Sequence, residues 1–336
     1  GQNGRRGALM ISLDVRHPDV LEFIRMKHDL TKVTGANVSV RITDDFMNAV
    51  MKDEDYELHF PVGAETPEFT NIVKARDVWQ EIVESATKTA EPGILMWDNI
   101  TKNLPAESYS AQGFKTLTTN PCGEIPLSAY DSCRLISVNL KNFVKQRWTE
   151  DAHFDFIEFT SVVRKAMRLS DDLVELEVEK LEEILRAADT MDERQLWSNL
   201  LEACTKGRRT GLGTHGLADA LAGLGLAYDS PEALEVIDRI YGTLKVAAYA
   251  QSVDLARERG SFPIFNWETE KNNDFIQSLP EHLREAIKEF GRRNISILTN
   301  APTGSVSIMS QTSSGLEPVF RNWYTRRRKL SHNEAD

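Results

Sequence analysis

Strand-like apolar runs alternate with helix-like ones along this chain, and that alternation leaves few folds open. Ala8-Leu9-Met10-Ile11-Ser12-Leu13 reads as a buried strand, and residues 19–26, entered at Pro18, as a helix. Residues 37–42 alternate like a strand, Thr43 stands as a cap, and residues 44–51 have helical periodicity. A helix over about 78–89 stops before Pro92-Gly93, and Ile94-Leu95-Met96-Trp97 resumes a strand. Strands separated by helices pair in parallel through crossovers, so the expected class is α/β. Downstream the same reading predicts a strand at 135–140 and a long helix over about 154–186. Helices follow at 195–204, 217–224, 233–259 and 283–290, and a strand at 295–298. No repeat or linker divides the chain, so residues 1–336 are read as one domain, and a 41% hydrophobic content suffices for its core.

One stretch departs from the pattern. Thr119-Asn120-Pro121-Cys122-Gly123-Glu124-Ile125-Pro126-Leu127 places an amide, a thiol and a carboxylate within five residues, with Cys133 following. Pro121 and Gly123 suit neither a helix interior nor a central strand, so the segment predicts a loop tip that presents functional groups. A lone cysteine is commonly a small buried hydrophobe. Here Glu124 would have to be buried with it or turned away, which favours the functional reading.

Charge and cysteine content narrow the partners. A net charge of −11 argues against a surface built for nucleic-acid phosphates. Basic clusters at Gly4-Arg5-Arg6-Gly7, Lys206-Gly207-Arg208-Arg209 and Thr325-Arg326-Arg327-Arg328-Lys329 read as solvated faces. Three cysteines without a Cys-x-x-Cys pair fit a reducing compartment and indicate neither a disulfide framework nor a metal site; Cys204 reads as core packing. No apolar run suits a membrane span and no signal peptide is evident, so the expected location is the cytoplasm. Gly211-Leu212-Gly213-Thr214-His215-Gly216 satisfies the dinucleotide-binding pattern. It follows a helical stretch and a basic turn instead of a clear apolar strand, so its glycines read as aids to close packing and His215 as a hydrogen-bonded packing residue.

The run Asn120 to Ile125, with Cys133 eleven positions after Cys122 in Ser132-Cys133-Arg134-Leu135-Ile136-Ser137-Val138-Asn139-Leu140, resembles the finger loop and following strand of ribonucleotide reductase catalytic subunits. It is most similar to the adenosylcobalamin-dependent class. Asn300-Ala301-Pro302-Thr303-Gly304-Ser305-Val306-Ser307, with Thr312-Ser313-Ser314-Gly315-Leu316-Glu317-Pro318, is a second match, and Gly4 to Met10 with Asn37-Val38-Ser39-Val40 a third.

The resemblance implies part of a ten-stranded α/β barrel, made of two parallel half-sheets around a central finger loop. It implies that Cys122 becomes a thiyl radical, that Glu124 takes the proton of the substrate 3′-hydroxyl, that Asn120 positions substrate oxygens and that Cys133 is one of two reducing thiols. The partner thiol would lie upstream of this sequence. The loop Pro302, Thr303, Gly304, Ser305, Val306 and Ser307 would bind substrate phosphate, a role its consecutive N–H groups and hydroxyls suit. Arg5, Arg6, Lys32, Thr34 and Asn37 would belong to loops that relay the identity of a deoxynucleotide or ATP effector.

Implied partners are a ribonucleotide, a thioredoxin-like or other external dithiol reductant, a second copy of the chain packed through the helix at 19–26, and the remaining N- and C-terminal parts of the enzyme; no nucleic acid, membrane or resident metal ion is implied. Two alternatives stay open: a class I subunit whose radical comes from a separate metal-containing subunit, and a noncatalytic assembly or nucleotide-binding module.

Overall fold

The computed structural model of the protein describes residues 7–29 and 31–325. Arg5, Arg6 and the basic run at 326–329 lie outside the described residues. The first half contains β1 (Leu9–Asp14), α1 (Val20–Arg25), β2 (Ala36–Ile42), α2 (Asp44–Lys52), β3 (Asp55–Phe60), β4 (Phe69–Lys74), α3 (Ala75–Thr89), β5 (Gly93–Met96) and α4 (Trp97–Asn103). β1, β2 and β5 form a parallel sheet in that order. β2 takes the centre because Val38, Val40 and Ile42 are all buried, in one core with Val20 and Ile24 of α1 and Val78 and Ile82 of α3.

Thr43 occupies the N-cap position of α2 as expected, yet its hydroxyl lies 3.3 Å from that of Tyr56 and caps nothing. The antiparallel β3–β4 pair was not anticipated. β4 is exposed along most of its length, so burial imposes no apolar alternation on it.

A 3₁₀ helix, Pro105–Gln112, leads to the hairpin β6 (Thr118–Thr119) and β7 (Pro126–Leu127). Next come β8 (Arg134–Asn139), the antiparallel β9 (Val144–Lys145) and β10 (His153–Phe154), α5 (Phe156–Ala187), α6 (Met191–Gly207), β11 (Thr210–His215) and α7 (Leu217–Gly223). The remaining helices are α8 (Pro231–Arg259), α9 (Trp267–Glu270), α10 (Asp274–Gln277), α11 (Glu281–Phe290) and α12 (Gly304–Ser310). Their starts follow local chemistry: the Asp155 carboxylate caps α5, Thr190 and Glu193 form a reciprocal capping box on α6, and Ser230 caps α8 ahead of Pro231.

β8 and β11 are parallel, and a bridge from Leu212 to Leu298 sets the strand-like run at 295–298 beside β11. All six β11 residues are buried. The motif Gly211-Leu212-Gly213 is therefore itself in a strand, and glycine is required there: a Cβ on Gly213 would lie 2.0 Å from the Thr299 carbonyl oxygen. His215 ends β11 with Nδ1 2.8 Å from Ser137 Oγ and Nε2 3.2 Å from Ser310 Oγ. Burial lowers its pKa, so it packs as a neutral, hydrogen-bonded ring.

The fold is thus mixed α/β with two parallel half-sheets, of three and two strands. The expected α/β class and two parallel half-sheets are present, but among the described residues neither ten barrel strands nor a closed barrel forms. β1 and β5 remain sheet edges, and the run at 295–298 joins its sheet through a single bridge.

The reading of Lys206-Gly207-Arg208-Arg209 as a solvated face is also overturned. Arg208 and Arg209 are 5% and 2% exposed, and pair with Asp171 at 2.9 Å and Asp131 at 2.7 Å. Their acidic partners lie 37 and 78 positions away, where a local charge count cannot register them. Burial alone would raise the Asp171 carboxyl, but Arg208, Arg293 and Asn294 hold it below the ordinary range. Cys204 packs with Val174 and Leu181, as expected for a core residue, and its thiol accepts a contact from Arg134 Nη2 at 2.6 Å.

Candidate active site

The Cys122 segment is the tip of the β6–β7 hairpin, whose ladder pairs only Thr118 with Leu127 and Thr119 with Pro126. Inside the tip, Asn120 N–H donates to the Ile125 carbonyl at 3.1 Å and Gly123 N–H to the Asn120 carbonyl at 3.0 Å. Gly123 adopts φ +84°, a left-handed conformation that glycine allows without a Cβ clash. The Asn120 amide is oriented by two partners: Nδ2 donates to Glu124 Oε2 at 2.6 Å, and Oδ1 accepts from Ile125 N–H at 2.9 Å. Asn120 thereby braces the carboxylate without titrating itself. Cys122 is exposed at the turn.

The thiols occupy different surroundings. Partial burial, with the nearby Glu124 carboxylate, pushes the Cys122 thiol above its ordinary range. It therefore keeps its proton at neutral pH, the form able to give up a hydrogen atom. Cys133 precedes β8 and is pushed up to about 12, chiefly by burial; Arg209 and Arg134 oppose the shift, and Asp131 and Glu124 add to it. A Cβ on Gly211 would lie 2.5 Å from Cys133 Sγ and 2.9 Å from Thr299 Cγ2, which places this sulfur beside Thr299 in the second half-sheet. Thr299 links the two thiol segments, since its Oγ1 donates to the Glu124 carbonyl at 2.7 Å and its Cγ2 meets Cys133 Sγ around Gly211, so the fold brings Cys133 close to the tip that carries Asn120, Cys122 and Glu124.

The other candidates are less uniform. Among residues 302–307, Thr303 and Ser307 are buried, with their hydroxyls engaged by the fold: Gly315 N–H meets Thr303 Oγ1 at 2.8 Å, and Ser307 Oγ donates to the Gly304 carbonyl at 3.0 Å. Pro302, Gly304, Ser305 and Val306 are exposed, and no side chain caps the backbone N–H groups at the start of α12. Lys32 and Thr34 are exposed in the loop before β2, with Lys32 Nζ 3.6 Å from Asp29. Asn37, which periodicity put in a strand and the resemblance with the loops, is the second residue of β2, because pairing with β1 begins at Ala36.

Four contacts seat the hairpin between the half-sheets. On the first side, Ser12 Oγ lies 2.9 Å from Thr118 Oγ1, Arg41 Nη1 donates to the Leu117 carbonyl at 3.2 Å, and Asn37 Nδ2 donates to the Pro121 carbonyl at 3.2 Å. On the second side, Thr299 Oγ1 donates to the Glu124 carbonyl at 2.7 Å. Sequence reasoning missed Thr299, since its residue type and strand-like setting do not mark it. Among the described residues no group of three or more His, Cys, Asp or Glu side chains is arranged to hold a metal ion.

Known proteins similar in sequence to this chain fall in one family. The family model described as the ribonucleotide reductase barrel domain matches residues 1–334. A vitamin B12-dependent ribonucleoside-diphosphate reductase of Thermoplasma acidophilum is 33% identical over 329 residues, covering 96% of this chain and 37% of that protein. One of Mycobacterium tuberculosis is 33% identical over 323 residues, with 96% and 40% covered. A ribonucleoside-diphosphate reductase large subunit of Vaccinia virus is 27% identical over 364 residues, with 97% and 44% covered. The chain spans less than half the length of each of these relatives. With a family match along almost its whole length and an α/β fold of two parallel half-sheets, the chain belongs to the ribonucleotide reductase barrel-domain family.

Proposed function

We propose that the protein supplies the radical-bearing part of an enzyme that reduces ribonucleoside diphosphates to deoxyribonucleotides. The observation that carries this reading is the hairpin tip, where an exposed, protonated thiol stands beside a carboxylate braced by Asn120. Cys122, having lost its hydrogen atom, removes the 3′-hydrogen of the substrate. Glu124 accepts the 3′-hydroxyl proton, which lets the 2′-oxygen leave as water after protonation. Asn120 holds substrate oxygens in line. Cys133 and a partner thiol supplied elsewhere in the enzyme provide two electrons and two protons, one proton leaving in the water and the other entering the new 2′-C–H bond while Glu124 returns its proton to the 3′-oxygen; the pair closes to a disulfide that an external dithiol such as a thioredoxin-like protein reopens. The 3′-hydrogen then returns from Cys122. The N–H groups of the exposed residues 304–306, uncapped by any side chain, suit the substrate phosphates, and Lys32, Thr34 and Asn37, with Arg5 and Arg6, the relay from a deoxynucleotide or ATP effector.

Adenosylcobalamin, when bound, supplies the hydrogen-abstracting radical, and the fit on this chain is Cys122, exposed on the tip with its S–H intact. The vitamin B12-dependent relatives are 33% identical, against 27% for the viral large subunit, which favours this class over one using a separate metal-containing subunit. The half-sheets become the ten-stranded barrel only with the rest of such an enzyme, and three free cysteines suit the cytoplasm.

Incubation of the complete enzyme with adenosylcobalamin, a dithiol and a ribonucleoside diphosphate should yield deoxyribonucleotide without any metal subunit. Glu124→Gln should bind nucleotide and turn over about a hundredfold more slowly. No product without an added metal subunit would refute the cobalamin reading, and unimpaired turnover would remove Glu124 from the mechanism. α1 is assigned to a homodimer interface; sedimentation as a monomer with and without a deoxynucleotide effector would count against that.

A further inference from the structure

The β6–β7 ladder is only two residue pairs long, too short to fix the tip by itself. What fixes it is tertiary, and the two contacts nearest the thiol come from opposite half-sheets. Asn37 Nδ2 holds the carbonyl of Pro121, immediately before Cys122, and Thr299 Oγ1 holds the carbonyl of Glu124, two residues after it. Both anchors are themselves braced. The strand bearing Asn37 is tied at Val38 N–H to Glu91 Oε1 at 3.0 Å, and Lys27 bonds to the Ala36 carbonyl. Thr299 N–H donates to the Leu212 carbonyl at 3.1 Å, while Gly213 lets its backbone approach β11.

We infer that Asn37 and Thr299 are positioning residues that clamp the Cys122 tip between the two half-sheets and so set where the thiol stands. The clamp also gives Asn37 a mechanical role apart from base or effector selection: it joins the end of the loop at 31–35 directly to the residue before the cysteine. Movement of that loop would therefore reach the thiol through one hydrogen bond.

Hydrogen exchange at the Gly123 and Ile125 amides, both bonded within the tip, reads the clamp without requiring activity. Thr299→Val removes the hydroxyl at nearly constant shape, and Asn37→Asp removes the donor and sets a carboxylate against a carbonyl. Each should accelerate exchange at both amides by about fivefold, the equivalent of one lost hydrogen bond, while Thr299→Ser keeps the parental rate. Unchanged exchange in the Val and Asp variants, or a Ser variant that behaves like Val, would overturn the clamp.

The kinetic consequence rests on the reductase reading: kcat should fall about fivefold in the Val and Asp variants with KM within about twofold. A raised KM at constant kcat would overturn positioning of the thiol. An inactive parent with the exchange pattern intact would refute the reductase reading and leave the clamp standing.

Discussion

Cys122→Ser in the complete enzyme should abolish turnover and with it all release of tritium from the 3′-position of a labelled ribonucleotide. An O–H bond is much stronger than an S–H bond, so serine at the exposed tip cannot furnish the radical that cysteine does. Cys133→Ser should behave differently. Its sulfur lies beside Gly211 and Thr299 in the second half-sheet and serves the later electron delivery. Tritium release should persist in that variant while deoxyribonucleotide yield collapses. The paired measurement separates the two thiols: release that survives in Cys122→Ser, or is lost only in Cys133→Ser, would reverse their roles.

Glu270→Ala should lower the free energy of unfolding by about 3–5 kcal/mol, the largest stability loss expected of a single substitution here. Glu270 and Arg292 are both fully buried, joined by Nη2–Oε2 at 2.5 Å and Nε–Oε1 at 3.0 Å, and Tyr109 donates its hydroxyl to Glu270 Oε2 at 2.8 Å. Burial alone would lower the Arg292 pKa, but Glu270 reverses that and holds the guanidinium charged. Alanine would leave that charge buried without a counterion. Glu270→Leu combined with Arg292→Met should recover most of the loss, since an apolar pair avoids the desolvation cost. Urea unfolding of the three variants measures this, and a loss below about 1 kcal/mol in Glu270→Ala would mean that the pair does not depend on its mutual charge. The consequence reaches the site, because Arg292 opens the segment that continues through 295–298 to Thr299.

Much of the local design was legible in the residues. The apolar runs at 8–13, 37–42 and 94–97 marked three strands that do pair in parallel, although Trp97 already opens α4, and Pro121 with Gly123 marked a tip that does expose Cys122. Gly211 and Gly213 were read as aids to close packing, and they pack β11 against Thr299. Other features were not legible. β4, exposed along most of its length, gives its hairpin with β3 only one alternating strand, and Arg208 and Arg209 look solvated until their acidic partners arrive from α5 and the stretch before β8.

The sequence by itself determined where the chain turns, which runs can be strands or helices, and that an amide, a thiol and a carboxylate share one loop, because φ preferences and apolar periodicity act within a few residues. Tertiary structure decided which groups meet that loop. Asn37 and Thr299 stand 84 and 175 positions from the carbonyls they hold, and only the placement of two half-sheets around the hairpin brings them there. It also settled that the parallel strands end in unpaired edges within the described residues, since closure depends on partners across space and not on the pattern of any one strand.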